Sequence, residues 1–68
     1  MKIPAISGRE MCRILFRKGW EVSSRKGSHV GMKNPATGEK VTIPQHDPMS
    51  RKTTYTIMKA TGLTEEDF

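Results

Sequence analysis

The sequence predicts an α+β domain with the element order α-β-β-β-α, in which a three-stranded antiparallel sheet carries two helices on one face. Apolar residues recur at helical spacing in two segments, residues 8–17 and 51–61. Between them, residues 20–44 alternate apolar and polar with a period of two, which is typical of strands. Turn-forming residues divide this middle region into three short runs. Two helices on one face leave the other face of the sheet open to a ligand.

The first helix is predicted to begin at Gly8, because Ser7 and Glu10 have the spacing of a capping box. Its apolar stripe consists of Met11, Ile14 and Leu15. Gly19 is expected to end the helix in a left-handed conformation. Three basic residues recur on another face, which we expect to be solvated, with a contact surface for an acidic partner or RNA as the alternative: Arg9, Arg13 and Arg17.

The first strand is predicted over residues 20–23 as a half-buried strand, and Lys26-Gly27 forms the turn that follows. The second strand covers residues 28–33, with Val30 and Met32 facing the helices. His29, Gly31 and Lys33 then face away from the core. The third strand alternates from Lys40 to Ile43 and closes at Pro44.

Ser50 is the predicted N-cap of a second helix, Arg51–Thr61, which Gly62 ends. Its apolar stripe consists of Thr54, Ile57 and Met58. One more short turn is expected at residues 64–67. The predicted core consists of Met11, Ile14, Leu15, Trp20, Val22, Val41, Ile43, Ile57 and Met58.

Length and cysteine content restrict the class of protein. A chain of 68 residues has room for one domain, so we expect residues 1–68 to form a single unit with a marginal core. The lone Cys12 cannot form an intrachain disulfide and lacks the companions of a zinc site, so a reduced, cytoplasmic protein without metal or cofactor is expected. No apolar run approaches bilayer length, and no membrane role is expected.

The charge distribution predicts a polyanionic partner. The net charge is +5, but three of the seven acidic residues lie in the last four positions. Residues 1–63 carry 12 basic and 4 acidic residues, a net charge of +8. Nucleic acid is the first candidate partner and an acidic protein the second, with a generally basic, soluble surface as the remaining interpretation.

His29 is the candidate catalytic residue, because histidine is the side chain that ordinarily titrates near neutral pH. Gly27 and Ser28 precede it and permit close approach of another backbone. Its predicted neighbours on the open strand face bind phosphate or donate hydrogen bonds: Lys33, Lys40 and Thr42. RNA carries its own nucleophile, the 2′-hydroxyl, so a metal-independent ribonuclease needs a base, an acid and a nearby cation. Lys26 is a further candidate for holding phosphates.

His46 has three interpretations that the sequence leaves open. It is a second proton-transfer group if the loop after Pro44 folds towards the open face of the sheet. Otherwise it is an RNA contact or a residue that packs the loop. Strand alternation does not decide among these, because His46 lies beyond the last strand.

Several motifs together resemble the HicA toxin family. They are the run Gly27-Ser28-His29, the strand and loop at residues 41–46, and the closing segment at residues 54–63. The opening Ser7-Gly8-Arg9-Glu10 and Lys18-Gly19-Trp20 resemble the beginning of the family as well. Each motif is weak alone, but their order and spacing are specific, and the resemblance extends from Ile6 to Phe68.

The resemblance implies a double-stranded-RNA-binding-like fold and a single HicA-like RNA-binding and ribonuclease domain over residues 1–68. It implies the toxin of a bacterial or phage toxin–antitoxin system, which cleaves messenger RNA and is neutralised by a HicB-type antitoxin. The histidine of the family's Gly-Ser-His run is catalytic, which corresponds to His29. Family members often carry a histidine or an aromatic residue after this run, whereas this chain has Val30-Gly31.

Two other functions compete with the ribonuclease hypothesis. A non-catalytic module of the same fold binds double-stranded RNA through phosphates and 2′-hydroxyls and does not need His29. A DNA-binding helix-turn-helix is suggested by the polar segment at residues 50–55. The second alternative requires a helix shortly before that segment, where the sequence instead predicts strands.

Overall fold

The computed structural model describes residues 2–68 and has the element order predicted from the sequence. The elements are α1 (Gly8–Arg17), β1 (Glu21–Lys26), β2 (His29–Lys33), β3 (Lys40–Pro44), α2 (Arg51–Thr61) and a short 3-10 turn (Glu65–Asp67). This α-β-β-β-α order confirms the α+β, double-stranded-RNA-binding-like fold class. The element before α2 is a strand, so the helix-turn-helix hypothesis is wrong.

The sheet is antiparallel, with the strand order β1-β2-β3. Gly27 has a φ of 57°, which a type II′ hairpin turn requires at its first central position, and it joins β1 directly to β2. Val30, Met32 and Ile43 are buried on one face, whereas the residues between them on β2 are exposed or half-buried. Both helices therefore pack on the same face, as predicted.

The core contains most of the predicted residues and two that the sequence patterns did not indicate, Met49 and Leu63. Met49 lies outside any periodic segment, and its backbone N–H donates to the Ile6 carbonyl at 2.9 Å. Leu63 follows Gly62, whose φ of 77° turns the chain back over the end of α2. The buried apolar residues are Met11, Ile14, Leu15, Trp20, Val30, Met32, Ile43, Met49, Ile57, Met58 and Leu63. Val41 is half-buried against them.

β1 differs from its prediction. It runs from Glu21 to Lys26 rather than over residues 20–23, and all six residues are exposed instead of half-buried. Val22, which the sequence placed in the core, is 45% exposed. Within residues 2–68 the helices contact the sheet mainly at β3, which lies on the other side of β2 from β1, and this edge strand stays exposed. The prediction that Val22 is a core residue is therefore wrong.

The start of α1 lies directly against the segment that follows β3. Ser7 caps the helix, because its Oγ accepts from the Glu10 backbone N–H at 3.1 Å. The Gly8 N–H donates to the His46 carbonyl at 2.9 Å. A Cβ on Gly8 would overlap the Pro44 carbonyl oxygen and lie 2.9 Å from the Gln45 Cα. Only glycine permits this approach of helix and strand end.

The C-terminal turn is held to the end of α1. The Asp67 carboxylate contacts the Lys18 Nζ at 2.6 Å and accepts from the Thr64 backbone N–H at 2.8 Å. The hydrogen bond from Lys18, followed by the one from the Thr64 backbone, lowers the pKa of Asp67 below its ordinary value. The acidic C-terminal residues thus serve in part as internal counter-charges.

Ser50 is expected to contribute about 1 kcal/mol to stability as the N-cap of α2. Its Oγ accepts from the Thr53 backbone N–H at 3.1 Å, and Ser50→Ala leaves that N–H without its partner. Urea denaturation followed by circular dichroism measures the loss. Ser23→Ala is the matched control, because Ser23 is exposed and makes no side-chain hydrogen bond within residues 2–68. Equal effects of the two substitutions would contradict the capping role.

Candidate functional site

The sheet face opposite the helices, here called the open face, presents three rows of side chains. Residues that pair across antiparallel strands share a face, so the register defines each row. The hairpin row is Lys26, His29 and Pro44; the middle row is Ser24, Gly31 and Thr42; the far row is Glu21, Lys33 and Lys40. The predicted site residues on the strands all lie on this face.

His29 lies at the hairpin end of the open face and is exposed, as the alternation of β2 predicts. Lys26 is its direct cross-strand partner on β1, and Pro44 is its partner on β3. The His29 ring makes no hydrogen bond to another residue in the range 2–68. The imidazole nitrogens are therefore available to a ligand that approaches the hairpin row.

The turn beside His29 brings backbone close to the surface. Gly27 and Ser28 form the two-residue loop between β1 and β2, and both are exposed. The Ser28 carbonyl accepts from the Gln45 backbone N–H at 2.6 Å, so the chain after β3 continues beside this loop. This bond holds the hairpin end against the segment that leads to His46.

Lys33 and Lys40 are not neighbours of His29, contrary to the predicted cluster. They are cross-strand partners at the far row, four residues along β2 from His29, which corresponds to about 13 Å. Thr42 lies between the two ends, opposite Gly31. The structure thus separates the predicted lysines into two groups: Lys26 lies beside His29, and Lys33 and Lys40 lie at the other end of the open face.

A β-bulge in β1 determines which cation accompanies His29. Val22 pairs with Met32 but Ser24 pairs with Gly31, so one extra residue, Ser23, is inserted on β1. Without that insertion, strict alternation from Val22 would turn Lys26 towards the helices. With it, Lys26 lies on the open face, and Arg25 lies on the helix side of the sheet.

His46 is exposed but belongs to a different part of the surface from His29. It lines a cavity together with Ser7, Arg9, Arg25, Gln45 and Asp47, and His29 is not among the lining residues. Cys12 lies close to this region and accepts from the Gln45 side chain at 3.6 Å. Burial raises the pKa of the Cys12 thiol, although that hydrogen bond opposes the shift.

Sequence reasoning missed Arg25 and did not separate Arg9 from the other arginines of α1. The stripe that contains Arg9 was expected to be solvated, with an RNA or protein contact as the alternative, and Arg25 belonged to no pattern. The only local signal was the adjacency of Arg25 to the Lys26-Gly27 turn. Their common cavity is formed by parts of the chain far apart in sequence.

Residues 2–68 contain no group of three or more His, Cys, Asp or Glu side chains placed to hold a metal ion. No helix in that range is long and apolar enough to cross a bilayer.

The fold and site together define a small α+β protein with one open sheet face and an exposed histidine beside a lysine. A family model described as the HicA toxin of bacterial toxin–antitoxin systems matches residues 8–63 of the chain. The match extends from the first residue of α1 to beyond the end of α2, and the chain belongs to this family. It is therefore a toxin of a toxin–antitoxin system. Comparisons with curated proteins and with solved structures gave no match.

Proposed function

We propose that this toxin is an mRNA interferase, an endoribonuclease that cleaves messenger RNA without a metal ion through proton transfer by His29. The observation that carries the proposal is the hairpin row. An exposed histidine, whose ring nitrogens bond to no residue in the range 2–68, lies directly opposite Lys26 on the open face. These are a proton-transfer group and a cation side by side.

The proposed reaction uses the 2′-hydroxyl of the RNA as the nucleophile. His29 removes the proton as the 2′-oxygen attacks the adjacent phosphorus, and the bond from phosphorus to the 5′-oxygen breaks. The proton taken up by His29 then passes to the leaving 5′-oxygen, directly or through water. The products are a 2′,3′-cyclic phosphate and a free 5′-hydroxyl, and Lys26 stabilises the negative charge on the phosphoryl oxygens.

The remaining candidate residues bind the RNA strand. Gly27 and Ser28 offer exposed backbone beside the reacting phosphate, and Thr42 offers a hydroxyl in the middle row. Lys33 and Lys40, about 13 Å from His29, contact a phosphate further along the strand. Three lysines against one carboxylate, Glu21, in the rows of the open face support binding of a polyanion along it.

A toxin of this kind requires a partner that neutralises it, and we propose a HicB-type antitoxin. An acidic surface on that partner would complement the basic toxin. Because the proposed substrate is messenger RNA, the proposed site of action is the cytoplasm. A neighbouring reading frame that encodes an acidic protein, and that abolishes toxicity when coexpressed, would support this pairing.

The proposed chemistry is tested with an RNA oligonucleotide that carries a single 2′-deoxy substitution at the mapped cut site. We expect the unmodified strand to be cleaved equally with and without EDTA, and the substituted strand to be resistant, because the nucleophile is missing. Cleavage of the substituted strand, or loss of activity in EDTA, would contradict the mechanism. Tight, salt-dependent binding without any cleavage product would favour the non-catalytic RNA-binding module instead.

A further inference from the structure

A second candidate site lies on the helix side of the hairpin end. It is a cavity of 380 Å³, here called the basic cavity, lined by Ser7, Arg9, Arg25, Gln45, His46 and Asp47. Its cationic side chains come from α1 and β1, and its histidine comes from the segment after β3. Three separate parts of the chain therefore direct basic or hydrogen-bonding groups into one space.

Backbone and side-chain contacts fix α1 and the segment after β3 against each other and against the hairpin loop in which β1 ends. The Gly8 N–H donates to the His46 carbonyl at 2.9 Å, which joins α1 to the segment after β3. The Gln45 N–H donates to the Ser28 carbonyl at 2.6 Å, which joins that segment to the hairpin loop. The Gln45 side chain donates to the Cys12 Sγ at 3.6 Å, one turn along α1. The cavity is thus a built feature of the fold.

The positive charges of the basic cavity exceed the negative charge of its own lining residues. Within residues 2–68, ion pairs within 4.0 Å join Arg13 to Glu10 and Lys18 to Asp67, and none involves Arg9 or Arg25. Asp47 lines the cavity but pairs with neither arginine. Two guanidinium groups and one carboxylate leave a net positive charge in a concave space, which favours an anionic ligand. Guanidinium groups match the geometry of phosphate oxygens.

The basic cavity and His29 lie on two sides of the same end of the sheet and are linked through adjacent residues. Arg25 and Lys26 are consecutive residues, and the bulge at Ser23 turns the first to the cavity and the second to the open face. Ser28 precedes His29 and is bonded to Gln45 of the cavity. An RNA strand that passes over the hairpin end would therefore contact His29 first and the basic cavity next.

We propose that the basic cavity binds a phosphate of the RNA next to the phosphate that reacts at His29. Arg9 and Arg25 hold the phosphate oxygens, His46 contributes a hydrogen bond, and the strand bends round the end of the sheet. The proposal rests on the proposed ribonuclease function, since it defines a second contact of that substrate. It assigns His46 to substrate binding and not to proton transfer.

The double variant Arg9→Gln/Arg25→Gln tests the proposal. We expect its KM for a single-stranded RNA to rise on the order of tenfold, because charge-assisted contacts to one phosphate are lost. The rate at saturating RNA should stay unchanged, and the slope of log affinity against log salt should fall by about 0.7. Arg13→Gln/Arg17→Gln is the matched control, since it removes two charges from α1 outside the cavity. An equal rise in KM in both variants would overturn the proposal.

Asp47→Asn supplies a test in the opposite direction. Removal of the Asp47 carboxylate, which lines the cavity, should lower the KM severalfold, an effect that a merely structural disturbance would not produce. An unchanged or raised KM would overturn the proposal.

The double variant Arg9→Gln/Arg25→Gln also distinguishes RNA from a protein partner. If this variant retained its KM for RNA but escaped neutralisation by the antitoxin, the cavity would be a protein-binding site and the proposal would be overturned.

Titration with inorganic phosphate separates this proposal from the proposed function. We expect NMR shifts of the His46 ring and the Arg25 side chain in the wild-type protein, and no shift of His46 in Arg9→Gln/Arg25→Gln. If the protein bound phosphate in this way but did not cleave RNA, the cavity would be supported as a phosphate site and the proposed ribonuclease function would be contradicted. Cleavage by a wild-type protein whose cavity shows no phosphate-dependent shift would overturn the cavity proposal alone.

Discussion

His29→Ala is expected to lower the rate of RNA cleavage by about 10²–10⁴-fold, the range typical of a lost acid–base group. The side chain is exposed and makes no hydrogen bond within residues 2–68, so stability should change by less than about 0.5 kcal/mol. Single-turnover cleavage at saturating RNA measures the first effect, and thermal denaturation measures the second. The same variant should relieve growth arrest when it is expressed in a bacterium.

His46→Ala is the matched histidine control for this experiment. Because His46 lines the basic cavity and not the open face, its removal should weaken RNA binding with little effect on the saturated rate. An equal fall of the saturated rate in both variants would assign proton transfer to His46 as well. Unchanged toxicity of His29→Ala would contradict the catalytic role of His29.

Gly8→Ala is expected to destabilise the protein by about 1–3 kcal/mol, the usual cost of forcing extra volume into a packed contact. The new methyl group would overlap the Pro44 carbonyl, which is backbone and cannot rotate away. α1 would have to move away from the strand end, and the bond from the Gly8 N–H to the His46 carbonyl would lengthen. The loss is large for a domain of this size, because such a small core rarely supplies more than about 3–5 kcal/mol of stability.

Gly31→Ala is the matched control, because it adds the same methyl group at another crowded glycine. There the nearest atom is the Ser24 Oγ, the end of a small side chain that can adopt another rotamer. Urea denaturation of both variants should show the larger loss for Gly8→Ala. A larger loss for Gly31→Ala would contradict the importance of the contact between α1 and the segment after β3.

The parts of the fold that depend on local sequence were predictable. Ser7 and Ser50 cap the two helices as expected, and Gly62 ends the second one with a positive φ. The capping box at Ser7 is only half formed, because the Glu10 carboxylate lies 3.6 Å from Arg13 instead. The exposure of Val22 was not predictable, since alternation shows which face a residue takes but not whether a helix covers that face.

The arrangement of the candidate site was predictable only in part. The outward direction of His29 follows from the burial of Val30 and Met32 on the same strand. The faces on which Arg25 and Lys26 lie could not be predicted in this way. A single inserted residue reverses the alternation after it, and the sequence does not show where such a residue is inserted. The basic cavity depends on contacts between distant segments, which periodicity does not describe.

The exposure of β1 has a consequence for the energetics of recognition. All six residues of this strand are exposed and its main contact within residues 2–68 is the ladder to β2, so it should open locally at a lower free energy than the rest of the sheet. It also carries both Arg25 and Lys26. Any ligand that engages these cations must restrict the fluctuations of β1, and part of the binding free energy is then offset by lost conformational entropy. Affinity in this protein is therefore coupled to the rigidity of its outermost strand.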